Sequence, residues 1–460
     1  MAPARRFHAA ALLALPVLAC VGSGAPAQRP SPAAPPATLA DATEGTIARA
    51  VDAASPGALA LLERIVNINS GTMNFAGVRD VGAVLRAEFD ALGFTTRWVD
   101  GASFGRAGHL VAEARGSGPR LLLIGHLDTV FEPASPFQHF ERLSETTARG
   151  PGIIDMKGGD VIIVQALGAL KAAGVLDRMT ITVVMTGDEE HPGEPLAEAR
   201  RALVDASQGA IAAIGFEDGA GDPHMANTAR RGTSSWTLRA TGTPAHSSQI
   251  FREDVGPGAI FETARVLEAF RSRLAGQPYL TFNPGVALGG TAVALDAPHN
   301  EGSASGKTNV VAKEMVVQGD LRTLSPEQLA SAKAVMREIV ARSLPHTTSA
   351  IEFDEGYPPM APTPGNRRLL ALYDAVSRDL GLGPVAAVDP MKTGAADVSF
   401  VAGLVPMALD GIGLAGRDDH TDKETADLSM LPALTKRAAL LLWRLSRGAA
   451  QDPTTSASGK

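Results

Sequence analysis

An α/β fold interrupted by a smaller antiparallel unit is what this sequence predicts. Short apolar runs at Arg120–His126, Met179–Gly187 and Ala210–Glu217 have the length and content of buried parallel strands, and each ends in polar residues. Gly158 to Ala173 separates the first two with apolar residues at helical spacing, and strand, helix and strand in this order imply a right-handed parallel crossover. From about Arg231 the pattern switches to alternation, and a βαββαβ order follows before the α/β pattern resumes near Asn366.

In the helix from Gly158, the residues Val161, Val164, Leu167 and Leu170 fall on one face, and Gly174 stands where a left-handed C-terminal cap belongs. In Ser235 to Thr241, Trp236, Leu238 and Ala240 share one side of a strand. A helix over Pro257–Leu274, strand-like runs at Gly285–Leu295 and Val310–Leu321, a helix over Pro326–Ser343 and a strand at Ser349–Asp354 complete the inserted unit. The resulting plan is a first α/β segment over 43–229, an insertion over 230–356 and a second α/β segment over 357–447.

The chain of 460 residues is 45% hydrophobic, enough for a sizeable core and for more than one domain. A formal charge of -7, no basic block and only 5% aromatic residues argue against a nucleic-acid partner. The single cysteine, Cys20, excludes an intrachain disulfide and a cysteine-rich zinc site, so any metal must be held by His, Asp and Glu.

The first 27 residues resemble an export signal. Arg5 and Arg6 precede an apolar stretch, Ala9 to Val21, that is too short to span a bilayer comfortably. Ala25-Pro26-Ala27 fits a cleavage site that would leave Gln28 as the new N-terminus. Val17-Leu18-Ala19-Cys20 is the alternative, a lipobox-like segment with Leu18 a departure from the pattern, which would anchor Cys20 to lipid. Either route takes the chain out of the cytoplasm, to the periplasm or the exterior, and no other segment is long and apolar enough to cross a membrane. Residues 28–42 are Pro- and Ala-rich and read as a tether, and 448–460 as a disordered tail.

The acids and histidines fall at the ends of the strands. His126 and Asp128 follow the first, Asp188, Glu189 and Glu190 the second, and Glu217 and Asp218 the third, while His420 follows the apolar run Val405–Leu414. Sites in open α/β sheets form beyond the carboxyl ends of the strands, so these loops converge on one crevice. So many acids together repel one another, and divalent cations relieve that conflict; histidine with carboxylate suits zinc. Each piece also has an ordinary structural alternative: an Asx turn at Asp128, a helix cap at Asp155, a solvated loop at Glu189-Glu190, a surface histidine at His420. Their joint placement at strand ends favours the metal site.

The motifs His126-Leu-Asp128, Gly150 to Gly159 around Asp155, Thr186-Gly-Asp-Glu-Glu-His191, Phe216-Glu217 and Asp419-His420 resemble those of the M20 metallopeptidases, and most closely the glutamate-carboxypeptidase branch. The resemblance implies a zinc-peptidase-like catalytic domain and a ferredoxin-like inserted domain serving as lid and dimerisation surface. It implies two zinc ions bridged by Asp155, one held by His126 and Glu217 and the other by Glu190 and His420, with Co2+ or Mn2+ as possible substitutes. Asp128 would orient His126, Glu189 would act as general base, and the Asp155-Met156 peptide would be cis. His246 matches the lid histidine that helps hold the oxyanion, often from the neighbouring subunit of a homodimer, with a solvated loop histidine as the alternative. Asn309 and Arg322 match lid positions that contact substrate, although Arg322 also fits an ordinary strand surface. Thr393, Gly394 and Asp397 match the loop lining the substrate pocket, where Lys392 is unexpected and would favour a carboxylate-bearing substrate. Relatives that release glutamate carry arginine in a Gly-Arg-Pro segment after the lid; here it is Gly356-Tyr357-Pro358.

The expected activity is hydrolysis of small peptides, most simply as a carboxypeptidase. An aminoacylase or amidohydrolase on N-acyl amino acids is the nearest alternative, an aminopeptidase a further one, and a non-catalytic zinc- or substrate-binding protein the alternative of another class. Gly411 to Gly416 matches G-x-G-x-x-G without the helix a dinucleotide site needs, and Gly302 to Thr308 falls short of a phosphate-binding loop. Neither an HExxH helix nor a G-x-S-x-G elbow is present.

Overall fold

The computed structural model describes residues 39–296 and 301–448. The export signal, Cys20, the first part of the tether and residues 449–460 of the tail lie outside the described residues. The Asp41 side chain accepts the Glu44 N–H (3.0 Å) and so caps a helix over Ala42–Val66. Glu44 then pairs with Arg444 of the last helix, Leu431–Ser446, at 2.8 and 2.9 Å, tying the two ends of the described chain together. No helix among the described residues is long and apolar enough to cross a membrane.

Across the main sheet the strands run Thr95–Asp100, Gly108–Ala114, Thr180–Thr186, Arg120–His126, Ala210–Gly215 and Ala408–Leu409. The last four pair in parallel and the first two antiparallel, so the sheet is mixed but mostly parallel. Leu121, Leu122, Leu123, Val183 and Ile214 are fully or almost fully buried, which is why these segments are unbroken apolar runs. The Gly158–Ala172 helix makes the expected crossover between neighbouring parallel strands, and Gly174 takes the left-handed conformation (φ 70°) just beyond it. Arg120–His126 lies between strands reached from it on opposite sides, so the loops beyond its carboxyl end diverge and leave a crevice there.

The insertion is a four-stranded antiparallel sheet in the order Thr281–Gly290, Glu314–Thr323, Gly232–Gly242, Thr347–Glu355. Trp236 and Leu238 point to the helices Gly258–Leu274 and Pro326–Val340, and the Trp236 and Phe270 rings meet edge to face at 5.9 Å. The βαββαβ order is as the patterning predicts, with two differences. Gly285–Leu295 breaks into Thr281–Gly290 and Ala292–Asp296, and the second piece pairs antiparallel with Glu301–Ser305, a segment whose small polar residues carry no strand signal. Val310–Leu321 becomes a strand only from Glu314, because Val310 closes a turn on the Lys307 carbonyl (3.0 Å).

Candidate metal centre

His126 is the last residue of its strand and is buried. Its Nδ1 lies 3.0 Å from the Asp128 backbone carbonyl and 3.5 Å from the Asp128 carboxylate, which turns Nε2 into the crevice. The Asp128 carboxylate does more for the neighbouring loop than for the imidazole. It accepts the Thr72 hydroxyl (2.6 Å) and the backbone N–H groups of Glu189 (3.0 Å) and Glu190 (3.1 Å). One buried acid thus fixes the backbone of two others.

Asp155 sits in the tight turn Ile153–Lys157, and its bond to Met156 is cis, as the resemblance implies. Its two oxygens face opposite ways. Oδ1 is 3.0 Å from His126 Nε2, which is also 3.6 Å from Glu217 Oε1. Oδ2 is 2.8 Å from His420 Nε2, which is 3.2 Å from Glu190 Oε2. His126, Asp155 and Glu217 form one donor group and Asp155, Glu190 and His420 the other, with the ligand atoms of each within 4.8 Å of one another.

These sets fit divalent metal ions. Zinc bonds of about 2.1 Å give a tetrahedron with edges of about 3.4 Å, the range in which these donors lie. The buried Glu190 Oε1 has no hydrogen-bond partner among the described residues. Burial, reinforced by the Asp155 charge, pushes Glu190 up to about 7, and burial likewise pushes Glu217 up to about 7. Hydrogen bonds to Asp155 and Glu190 push His420 up to about 11. Carboxyls and imidazoles both pushed toward their protonated forms mark a place short of positive charge, which cations would supply.

Among the described residues Glu189 carries no hydrogen bond on its carboxylate, and burial together with the Glu217 charge holds it well above the usual range. It lines a cleft of about 380 Å³ with Asp155, Glu217 and His420, and with Lys392, Thr393 and Gly394 on the wall. The insertion residues are placed differently. His246 is exposed and bonds Ser248, Asn309 is exposed, and Arg322 pairs with Asp320 at 2.9 Å; none of the three lines the cleft. Asp397 also stands apart from the pocket wall, because its carboxylate is consumed by Arg200 Nε (2.8 Å) and the Thr186 hydroxyl (2.5 Å). Gly411–Gly416 runs past Glu217 without opening a helix, and Gly413 N–H donates to the Glu217 carbonyl (2.8 Å).

Sequence reasoning missed Glu424. Its buried carboxylate accepts the N–H groups of Gly152 (2.9 Å), Ile154 (2.8 Å) and Asp155 (3.2 Å). The loop that presents His420 therefore also cradles the turn that presents Asp155. Glu424→Ala is expected to weaken metal binding about 10- to 100-fold, as loss of a residue supporting a ligand typically does. Competition with a chelator of known affinity measures this.

The family model for peptidase family M20/M25/M40 matches residues 122–444. The chain is 25% identical over 413 residues to carboxypeptidase G2 from Pseudomonas sp. (strain RS-16), covering 89% of this chain and 94% of that one. It is 26% identical over 379 residues to a succinyl-diaminopimelate desuccinylase from Xanthomonas oryzae, covering 76% of this chain and 90% of that one. Among solved structures it is similar to aminopeptidase PepT from Bacillus cereus, with a TM-score of 0.66, 17% identity and coverage of 84% and 98%. It is also similar to the YXEP protein of Bacillus subtilis, described as a dinuclear metal binding peptidase, with a TM-score of 0.57, 14% identity and coverage of 86% and 99%. The chain belongs to peptidase family M20/M25/M40 and is a metallopeptidase of that family.

Proposed function

We propose that this protein is an exported carboxypeptidase that uses two zinc ions to hydrolyse the amide bond of a short peptide or peptide-like substrate. The observation that carries this reading is the placement of Asp155, each of whose oxygens completes one donor group, with the free Glu189 carboxylate in the cleft they share. Zinc bound at the two groups would supply Lewis acidity for the attacking water and the scissile carbonyl. Glu189 takes a proton from that water and returns it to the nitrogen of the leaving amine. Asp128 and Glu424 keep the loops from shifting as charge develops.

Lys392 is exposed, lies on the cleft wall and makes no ion pair among the described residues, so its ammonium is available to a substrate carboxylate. Similarity over most of the chain to carboxypeptidase G2 agrees with that polarity. Lys392→Ala is expected to raise KM for substrates with a free C-terminal carboxylate about tenfold at similar kcat, and to leave C-terminally amidated analogues unchanged. An equal KM change for both kinds of substrate would remove Lys392 from carboxylate recognition. His246, Asn309 and Arg322 would reach substrate in this proposal through closure of the insertion or from a second copy in a homodimer.

Similarity to the desuccinylase favours a second reading, cleavage of N-acyl amino acids. A panel of dipeptides and N-acyl amino acids given to the zinc-loaded protein separates the two. Preference for dipeptides supports the peptidase, and preference for N-acyl amino acids the amidohydrolase. No turnover at all, with two metals bound, would overturn both.

A further inference from the structure

The insertion joins the main body through two segments that pair with each other. Arg230 and Met360 exchange backbone hydrogen bonds of 3.0 Å, and Thr233 N–H donates to the Tyr357 carbonyl (2.9 Å). Tyr357 is the middle residue of the Gly356-Tyr357-Pro358 segment that departs from Gly-Arg-Pro, and its ring is buried, edge to face with Phe400 at 4.8 Å, and does not line the cleft.

The Tyr357 hydroxyl is used in both directions. It accepts from Arg200 Nη2 (2.6 Å) and donates to the backbone carbonyl of Glu189 (2.8 Å). Arg200 is itself buried and binds the Asp188 carboxylate (2.7 Å), the Asp188 carbonyl (2.9 Å) and Asp397 (2.8 Å). Asp397 holds Thr186, the last residue of the strand that delivers Glu189. The strand end, the residue before the base and the carbonyl of the base are therefore gathered behind the site by one guanidinium, and Tyr357 brings the hinge into that cluster. The other hinge segment has a matching grip. Arg230 Nε binds Asp410 Oδ2 (2.5 Å), and Asp410 Oδ1 accepts the N–H of Glu217 (3.4 Å).

We propose that Tyr357 is a positioning residue for Glu189, tying the hinge of the insertion to the backbone of the general base so that movement of the insertion and placement of the base are coupled. This rests on the reading of Glu189 as the base. The hydroxyl acts through the loop and touches neither substrate nor metal. A buried cluster of this kind also stabilises a fold, so the test must separate position from stability.

The experiment uses the full metal-loaded chain carrying Tyr357→Phe, which removes one oxygen and keeps the ring. Expected are a kcat about 10- to 100-fold lower at similar KM, undiminished metal content, and hydrogen exchange at least about tenfold faster in the Gly187–Gly193 loop but not in the Arg120–His126 strand. Phe270→Leu, which thins the core of the insertion against Trp236 and leaves the Tyr357–Arg200 cluster intact, is expected to lower Tm while leaving kcat and loop exchange near wild type. Wild-type kcat and loop exchange in Tyr357→Phe, or the same losses in Phe270→Leu, would overturn the proposal. If the wild-type protein hydrolyses nothing, the function proposed above fails, and unchanged loop exchange in Tyr357→Phe still overturns the coupling by itself.

Discussion

Replacing Glu189 by glutamine is expected to lower kcat by about 10³-fold, near the upper range for loss of a positioned general base, while both metal ions remain bound. The replacement is nearly isosteric, so the loop has no steric reason to move. Its backbone is fixed independently of the side chain, through the N–H to Asp128 at 3.0 Å and the carbonyl to Tyr357 at 2.8 Å. The change is therefore confined to the group that takes the proton, because an amide oxygen is far too weak a base. Activity within about tenfold of wild type, with metal content intact, would assign the proton transfer to another group. Parallel loss of metal would show Glu189 to be a ligand instead.

Asp155→Ala is expected to disrupt both metal sites at once, whereas His420→Ala should spare the site of His126 and Glu217. The asymmetry follows from geometry: Asp155 offers one oxygen to each donor group, 3.0 Å from His126 and 2.8 Å from His420, while each histidine serves one group. Removing Asp155 also takes one ligand and its negative charge from each donor group, which weakens the binding of either ion. Metal analysis after dialysis should give about two equivalents for wild type, about one for His420→Ala and fewer than one for Asp155→Ala. Equal losses in the two variants would mean that the sites do not share Asp155.

Most of the metal centre was legible because its donors follow strands that announce themselves. An apolar run that stops at a histidine or acid, as at His126, Glu189-Glu190 and Glu217, marks a buried strand emptying into a crevice, and the loops need only meet there. His420 was readable by its motif more than by its strand, since the apolar run before it pairs over only Ala408–Leu409. Support for the site was not legible. Glu424 is 270 residues from Ile154, Tyr357 is 168 from Glu189, and nothing in local pattern distinguishes either from a surface residue. Asp397 was read as pocket lining by motif, yet Arg200 and Thr186 occupy both its oxygens. Charged residues buried through distant partners break the rule that charge means surface, and only the folded chain supplies those partners. In the insertion, alternation at Trp236, Leu238 and Ala240 identified its sheet, because one face is buried and the other wet. In the antiparallel pair of Ala292–Asp296 with Glu301–Ser305, Val293 and Leu295 alternate with more exposed neighbours on the first strand, but the second is exposed throughout and so offers no alternation to read.

A zinc-soaked crystal with anomalous diffraction at the zinc edge would show whether Asp155 bridges two metal ions. Two anomalous peaks per chain are expected, one within bonding distance of Asp155 Oδ1, His126 and Glu217 and the other of Asp155 Oδ2, Glu190 and His420. A single peak, or two peaks of which one lacks Asp155 as a ligand, would contradict it.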